Sequence, residues 1–230
     1  MIALLRFAIR WGVLLALLPG IFGLWALLWE RLPHALEHRK LAEAVVTILL
    51  GWGLHRFLRR GNGRLADFIS FLDTLEHELT HGIVALLFLH PPSTLHVTER
   101  KGGHIRLKQS NWMISLAPYL FPLWTAFAAL LMLIVEQDLV SIFLTITLFL
   151  YGIFLSRLMS ELHPKQTDLR DNGLFHSYLV VALFHLLLLP TIIFSAAGII
   201  GWREYFSSFF DYYPLFFEMV KKALHSRGIG

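Results

Sequence analysis

Hydrophobic and polar positions along this chain come in long blocks. From Trp11 to Trp29 there is no charge, a run long enough to cross about 30 Å of hydrocarbon as a helix. Arg6 and Arg10 precede it as in a signal peptide, but the run is longer than a signal core and no small-x-small cleavage site follows, so an uncleaved anchor is expected. Pro19-Gly20 predicts a kink within it. A polar connection, Glu30 to Lys40, leads to a second apolar helix over 41–58, closed by Arg56, Arg59, Arg60 and the turn Gly61-Asn62-Gly63. A third helix is expected from Arg64 to His90, where Pro91 and Pro92 stop it. The period then changes. Leu95, Val97, Ile105 and Leu107 alternate with His96, Thr98, His104 and Arg106 around Gly102-Gly103, the pattern of a β-hairpin centred on the glycine pair. Apolar helices resume over 112–135, which contains Pro118 and Pro122, then over 139–159 and 174–200. Glu136-Gln137-Asp138 reads as a tight hairpin between the first two, and 161–173 is a polar stretch between the last two. In the tail, 201–230, Leu215, Phe216, Met219, Val220, Ala223 and Leu224 share one helical face beside Lys221 and Lys222, as in a helix lying at a membrane interface.

These blocks predict an all-α polytopic membrane protein, with about six transmembrane helices and a small β-hairpin between helices three and four. One integral domain, 1–230, is the simplest division: two N-terminal helices over 1–60, a core over 64–200 and an interfacial tail. Composition agrees, with 56% hydrophobic residues and a mean hydropathy of +0.61. The lipid bilayer is therefore the first expected partner. The net charge of +4 is scattered through the loops, a membrane-surface pattern that offers no stripe for nucleic acid. Lys and Arg divide evenly between the two sides of a six-span arrangement, so charge sets no orientation, and nothing in the sequence sets an oligomeric state. Cysteine is absent, which excludes disulfides, thiolate ligands and a cysteine nucleophile. A metal must be held by His, Asp or Glu.

The stretch Asp73-Thr74-Leu75-Glu76-His77-Glu78-Leu79-Thr80-His81 runs directly into the apolar Gly82 to Leu89. On a helix, His77 and His81 lie one turn apart on one face and can clasp one metal ion. Glu78, beside the first imidazole, is placed to take a proton from a metal-bound water. Acids and histidines packed into an apolar helix are costly, and such groups mark a functional site more often than a solvated helix start. His34 and His38 share the same spacing but lie in a polar connection without a supporting acid, and are rejected. His55, His90, His185 and His225 have no evident partner and are read as structural.

Two histidines need a third protein ligand, with a position left open for water. Asp168, Asp171, His163, His176 and Glu161 all cluster near the start of the last helix. Arg157 and Glu161 are spaced to pair. An H-E-x-x-H string in a hydrophobic helix, a following hairpin, a proline-containing helix and a later Asp near a helix start resemble the site-2 protease family of zinc intramembrane metalloproteases, over roughly residues 64 to 185. The family's Leu-Asp-Gly setting for the third ligand is missing here. The nearest equivalents are Thr167-Asp168-Leu169 and Asp171-Asn172-Gly173. The run His163-Pro164-Lys165-Gln166-Thr167-Asp168-Leu169 is similar to a divergent branch of these peptidases, which favours Asp168 over Asp171.

What the resemblance implies is a metallopeptidase-like core binding Zn2+ through His77, His81 and Asp168, with Glu78 as the catalytic base. The substrate would be a membrane or membrane-proximal protein or peptide, held as a strand against the 94–108 hairpin. The setting would be a multi-pass position in a bacterial cytoplasmic membrane. An inactive relative serving as a binding or chaperone module stays open, as does a metal or proton transporter using Glu76, Glu78 and the two histidines. One geometric requirement follows. Helix three sets His77 and His81 deep, whereas Asp168 follows the end of a span, so the 163–173 segment must fold inward for the three to meet.

Overall fold

The computed structural model describes residues 2–98, 102–200 and 202–226. In chain order the elements are α1 (Ile2–Leu36), α2 (Arg39–Arg60), α3 (Arg64–Leu87), β1 (Thr94–Thr98), β2 (Gly102–Arg106), α4 (Trp112–Leu120), α5 (Leu123–Leu131), α6 (Gln137–Glu161), α7 (Thr167–Asp171), α8 (Leu174–Ala196) and α9 (Trp202–Ser226). Four helical stretches are long and apolar enough to cross a membrane: Trp11–Leu36, Arg39–Arg60, Gln137–Glu161 and Leu174–Ala196. The pair α4 and α5 makes up to five if counted as one broken span. Six spans are not found among the described residues. The motif helix α3 falls short because Asp73, Glu76 and Glu78 crowd its more apolar half.

The chain forms two compact units, residues 1–42 with 183–230, and residues 43–182. In the first, α1 runs unbroken through Pro19, and α9 packs along it. Gly20 and Gly23 make the close approach possible, since a Cβ at either would strike Phe209 or Tyr212. Leu215, Phe216 and Met219 of the tail face the groove beside α1. The side chains of Val220, Ala223 and Leu224 lie outside the described residues.

The second unit holds the motif. Its α2 and α6 cross at a pair of glycines: a Cβ on Gly51 would run into the Phe149 carbonyl, and one on Gly152 into the Ile48 carbonyl. One turn further along each helix, His55 and Ser156 meet at 2.9 Å. The hairpin is antiparallel, pairing Leu95 with Ile105 and His96 with His104. Gly102 and Gly103 stand inside β2 opposite Thr98 and Val97, so they do not form the turn, and residues 99–101 lie outside the described ones. Packing explains the glycine. A Cβ on Gly103 would approach Thr74 and Glu78 of α3 within 3 Å, so glycine lets the strand lie directly on the motif helix.

Where one helix was expected over 112–135, the chain bends by 68° between α4 and α5. Pro122, which has no N–H to give to helix α4, starts the new helix at Phe121-Pro122. Helix α3 likewise ends before the prolines, at Leu87. Leu89 adopts φ 59° and the His90 N–H bonds the Ala85 carbonyl at 2.8 Å, a left-handed helix stop made without glycine.

The glycine crossing gives a direct test of this unit. Gly152→Leu should lower stability by about 3 kcal/mol or more, because backbone cannot yield as a side-chain tip does. Gly53→Ala, with nothing within 4 Å of its added Cβ, should leave it unchanged or raised. Thermal unfolding of both variants in detergent decides, and equal melting temperatures would disprove the close crossing.

Candidate metal centre

Helix α3 buries a polar face. Asp73, Glu76, Glu78, Thr80 and His81 are each at most 8% exposed. One turn past His81, Val84 and Ala85 pack against Ile114 and Ala117 of α4 in a small apolar cluster. That contact fixes the distance between the motif and the start of α4, where Asn111 caps the helix by accepting the Ile114 N–H at 2.9 Å.

Proline then sets the chemistry. In an unbroken helix the Ile114 carbonyl would accept the N–H of residue 118, but Pro118 has none. The buried oxygen needs a donor. His81 Nδ1 supplies it at 2.7 Å. A carbonyl only accepts, so Nδ1 carries a proton, and in the neutral ring it is Nε2 whose lone pair faces the other way. His77 is held in the same sense: its Nδ1 lies 3.1 Å from Glu161 Oε2, a carboxylate acceptor at the end of α6. Both imidazoles are thus locked as donors at Nδ1, which is how metal-binding histidines are usually oriented.

Their Nε2 atoms converge on one oxygen. Asp168 Oδ2 lies 3.5 Å from His77 Nε2 and 3.5 Å from His81 Nε2. The ligand atoms of the three residues lie within 4.8 Å of one another, and no other such group occurs among the described residues. A spacing of 3.5 Å is long for a hydrogen bond. It is close to the roughly 3.4 Å that separates nitrogen and oxygen bound to one tetrahedral ion at about 2.0–2.1 Å. The donor set is two imidazole nitrogens and one anionic oxygen, which fits a zinc-type ion without cysteine.

Asp168 reaches the motif because the short α7 folds inward beside α4, as the sequence requires. Leu169 is fully buried, and its carbonyl accepts the Ser177 hydroxyl at 2.9 Å. Asn172 Nδ2 returns to the Asp168 carbonyl at 2.8 Å, and Gly173 turns the chain at φ 85°, where a side chain would be strained. Asp171 lines the same cavity but stays outside the ligand group. The other sequence-stretch candidates are used elsewhere: Glu161 stands behind His77, His163 bonds its own turn at Lys165, and His176 packs edge-on against Trp112.

Behind His77, His81 and Asp168 lies a buried charge network that the sequence exposed only in part. Arg157, 1% exposed, meets Glu76 Oε2 at 3.4 Å and Glu161 Oε2 at 3.8 Å, so the expected 157–161 pairing is present. The other oxygen of Glu76 accepts the Trp124 N–H at 3.2 Å, tying α3 to the first turn of α5 beyond the bend. His55 corrects the expectation that it stands alone. Its ring bridges Ser156 Oγ and Asp73, and Asp73 also pairs with Arg59 at 2.9 Å. This Ser-His-Asp series has its ring nitrogens reversed relative to a hydrolase triad, and Ser156 is 1% exposed, so it braces helices and has no access to a substrate. Nothing local in the sequence pairs residue 55 with 73 and 156. Pro118 was the one readable signal, four residues after the carbonyl it frees.

A cavity of about 480 Å³ opens on the centre, lined by His77, Glu78, His81 and Asp168 together with Gly103, His104, Ile105 and Leu107. Successive residues of β2 line it, so the strand presents its edge, and no third strand pairs with that edge among the described residues. No protein-family model, no curated protein and no solved structure matches this chain significantly.

The locked imidazoles predict a graded effect. Glu161→Gln should weaken metal affinity by about 10- to 100-fold while the ligands stay in place. Competition with a chromogenic chelator measures it, and an unchanged affinity would show that Glu161 does not orient His77.

Proposed function

We propose that the chain is a membrane-embedded zinc endopeptidase of the site-2 protease type, acting on membrane or membrane-proximal proteins. One observation carries the reading: two imidazoles locked at Nδ1 turn their Nε2 atoms onto a single anionic oxygen of Asp168, beside the glutamate of an H-E-x-x-H string. A multi-pass position in a bacterial cytoplasmic membrane follows from the same resemblance and agrees with four helices apolar enough to span.

His77, His81 and Asp168 would hold Zn2+, and the cavity leaves room for water and a substrate carbonyl beside them. When bound, the ion lowers the pKa of a coordinated water and polarises the carbonyl under attack. Glu78 would accept the proton of the attacking water on its carboxylate and pass it to the leaving nitrogen, the one proton that nitrogen needs to depart as an amine. Glu161 and the Ile114 carbonyl hold the two imidazoles in one tautomer throughout. The free edge of β2 offers main-chain hydrogen bonds to an extended substrate segment, which sets its peptide bonds along the cavity next to Glu78. An extended segment is also the form a protease must cut, because a helical peptide bond is shielded by its own hydrogen bonds.

Glu78→Gln separates binding from chemistry. The variant should retain zinc at the level of the wild type and lose proteolysis by at least about 100-fold, measured on membrane-protein substrates in proteoliposomes. Cleavage at the wild-type rate would remove Glu78 from the reaction. A zinc-loaded wild type that cuts nothing yet passes zinc across the membrane would turn the reading to a transporter.

A further inference from the structure

A second pair of histidines meets on the hairpin. His96 and His104 stand directly opposite in the antiparallel register, with ring centroids 5.4 Å apart and the rings tilted by 40°. The motif pair, His77 and His81, has its centroids 5.0 Å apart. Two imidazoles on one tetrahedral ion at about 2.0–2.1 Å bring their centroids to about 5 Å, so the hairpin pair has the separation of a metal clasp. A strand pair fixes its side chains as firmly as one helical turn does, since directly opposed residues have Cβ atoms about 4.5–5.5 Å apart.

Both histidines are exposed, so neither needs the other to satisfy a buried ring. Arg106 shares their face two residues on, but it is exposed and free to extend into water. We propose that His96 and His104 form a second transition-metal site, a two-imidazole clasp at the rim of the cavity. With only two protein ligands, it holds Zn2+ or Cu2+ more weakly than His77, His81 and Asp168, and copper more tightly than zinc. The remaining positions are left to water or to a carboxylate or imidazole of a bound chain.

The site stands on the register of the hairpin and not on the endopeptidase reading. Its consequence does rest on that reading. His104 lines the cavity, so an ion on the clasp sits beside the β2 edge where a substrate strand would pair, and excess zinc competes with substrate.

Zinc titration of the tag-free full chain in detergent tests the proposal by isothermal calorimetry, with His96→Ala and His81→Ala alongside. The wild type should show a tight and a weak class, His96→Ala should lose the weak class alone, and His81→Ala should lose the tight class alone. An absent weak class in the wild type, or one that survives His96→Ala, overturns it. Absence of the tight class everywhere would count against the zinc peptidase, while a weak class lost with His96 would still uphold the clasp. Copper EPR in the His81→Ala background adds a signature independent of activity. Nitrogen hyperfine structure from two imidazoles should collapse to one on adding His96→Ala, and an unchanged pattern places the copper elsewhere.

Discussion

The structure turns on one constraint, the placing of charged side chains on a helix surrounded by apolar ones. Asp73, Glu76 and Glu78 share α3 with the two histidines, and an ionised group taken out of water is tolerated only when it is paired and hydrogen-bonded. Arg157 answers most of that demand. From the interior of α6 it reaches Glu76, Glu161 and the Asp73 carbonyl, and its plane lies over the Phe154 ring at 5.3 Å. Arg59 and His55 complete Asp73 from α2. The glycine crossing of α2 and α6 is what lets these groups come close enough, so helix packing and charge pairing depend on each other.

The same constraint accounts for the broken helix. Bending at Phe121-Pro122 frees the N–H groups of a new helix start, and Glu76 takes one of them, from Trp124. Pro118 frees a carbonyl on the other side, and His81 takes that. Two prolines that cost a continuous span its hydrogen bonds thereby provide both a partner for a buried acid and an orientation for the His81 imidazole. Irregular backbone at such a place is tolerated where it lines a cavity.

Much of this was legible in the sequence, and the limits are physical. Spacing alone put His77 and His81 on one face, paired Arg157 with Glu161, and marked a hairpin after α3. It could not separate Asp168 from Asp171, because both lie on the same short helix and the burial of Leu169 between them decides which one faces inward. It misplaced the glycine pair, since glycine serves a turn and a close approach equally well, and only the contact with Thr74 and Glu78 distinguishes them. A continuous apolar run over 112–135 looked like one span because hydropathy carries no direction. His55 seemed solitary because its partners are 18 and 101 residues away.

The proposed function requires that His77, His81 and Asp168 act together as ligands of one ion. X-ray absorption at the zinc edge, on the purified full chain with one equivalent of zinc and on Asp168→Ala and Asp171→Ala, reads that ligand set. Two imidazoles and oxygen ligands at about 2.0–2.1 Å are expected in the wild type and in Asp171→Ala, with binding weakened or lost in Asp168→Ala. A spectrum and affinity unchanged by Asp168→Ala would contradict it.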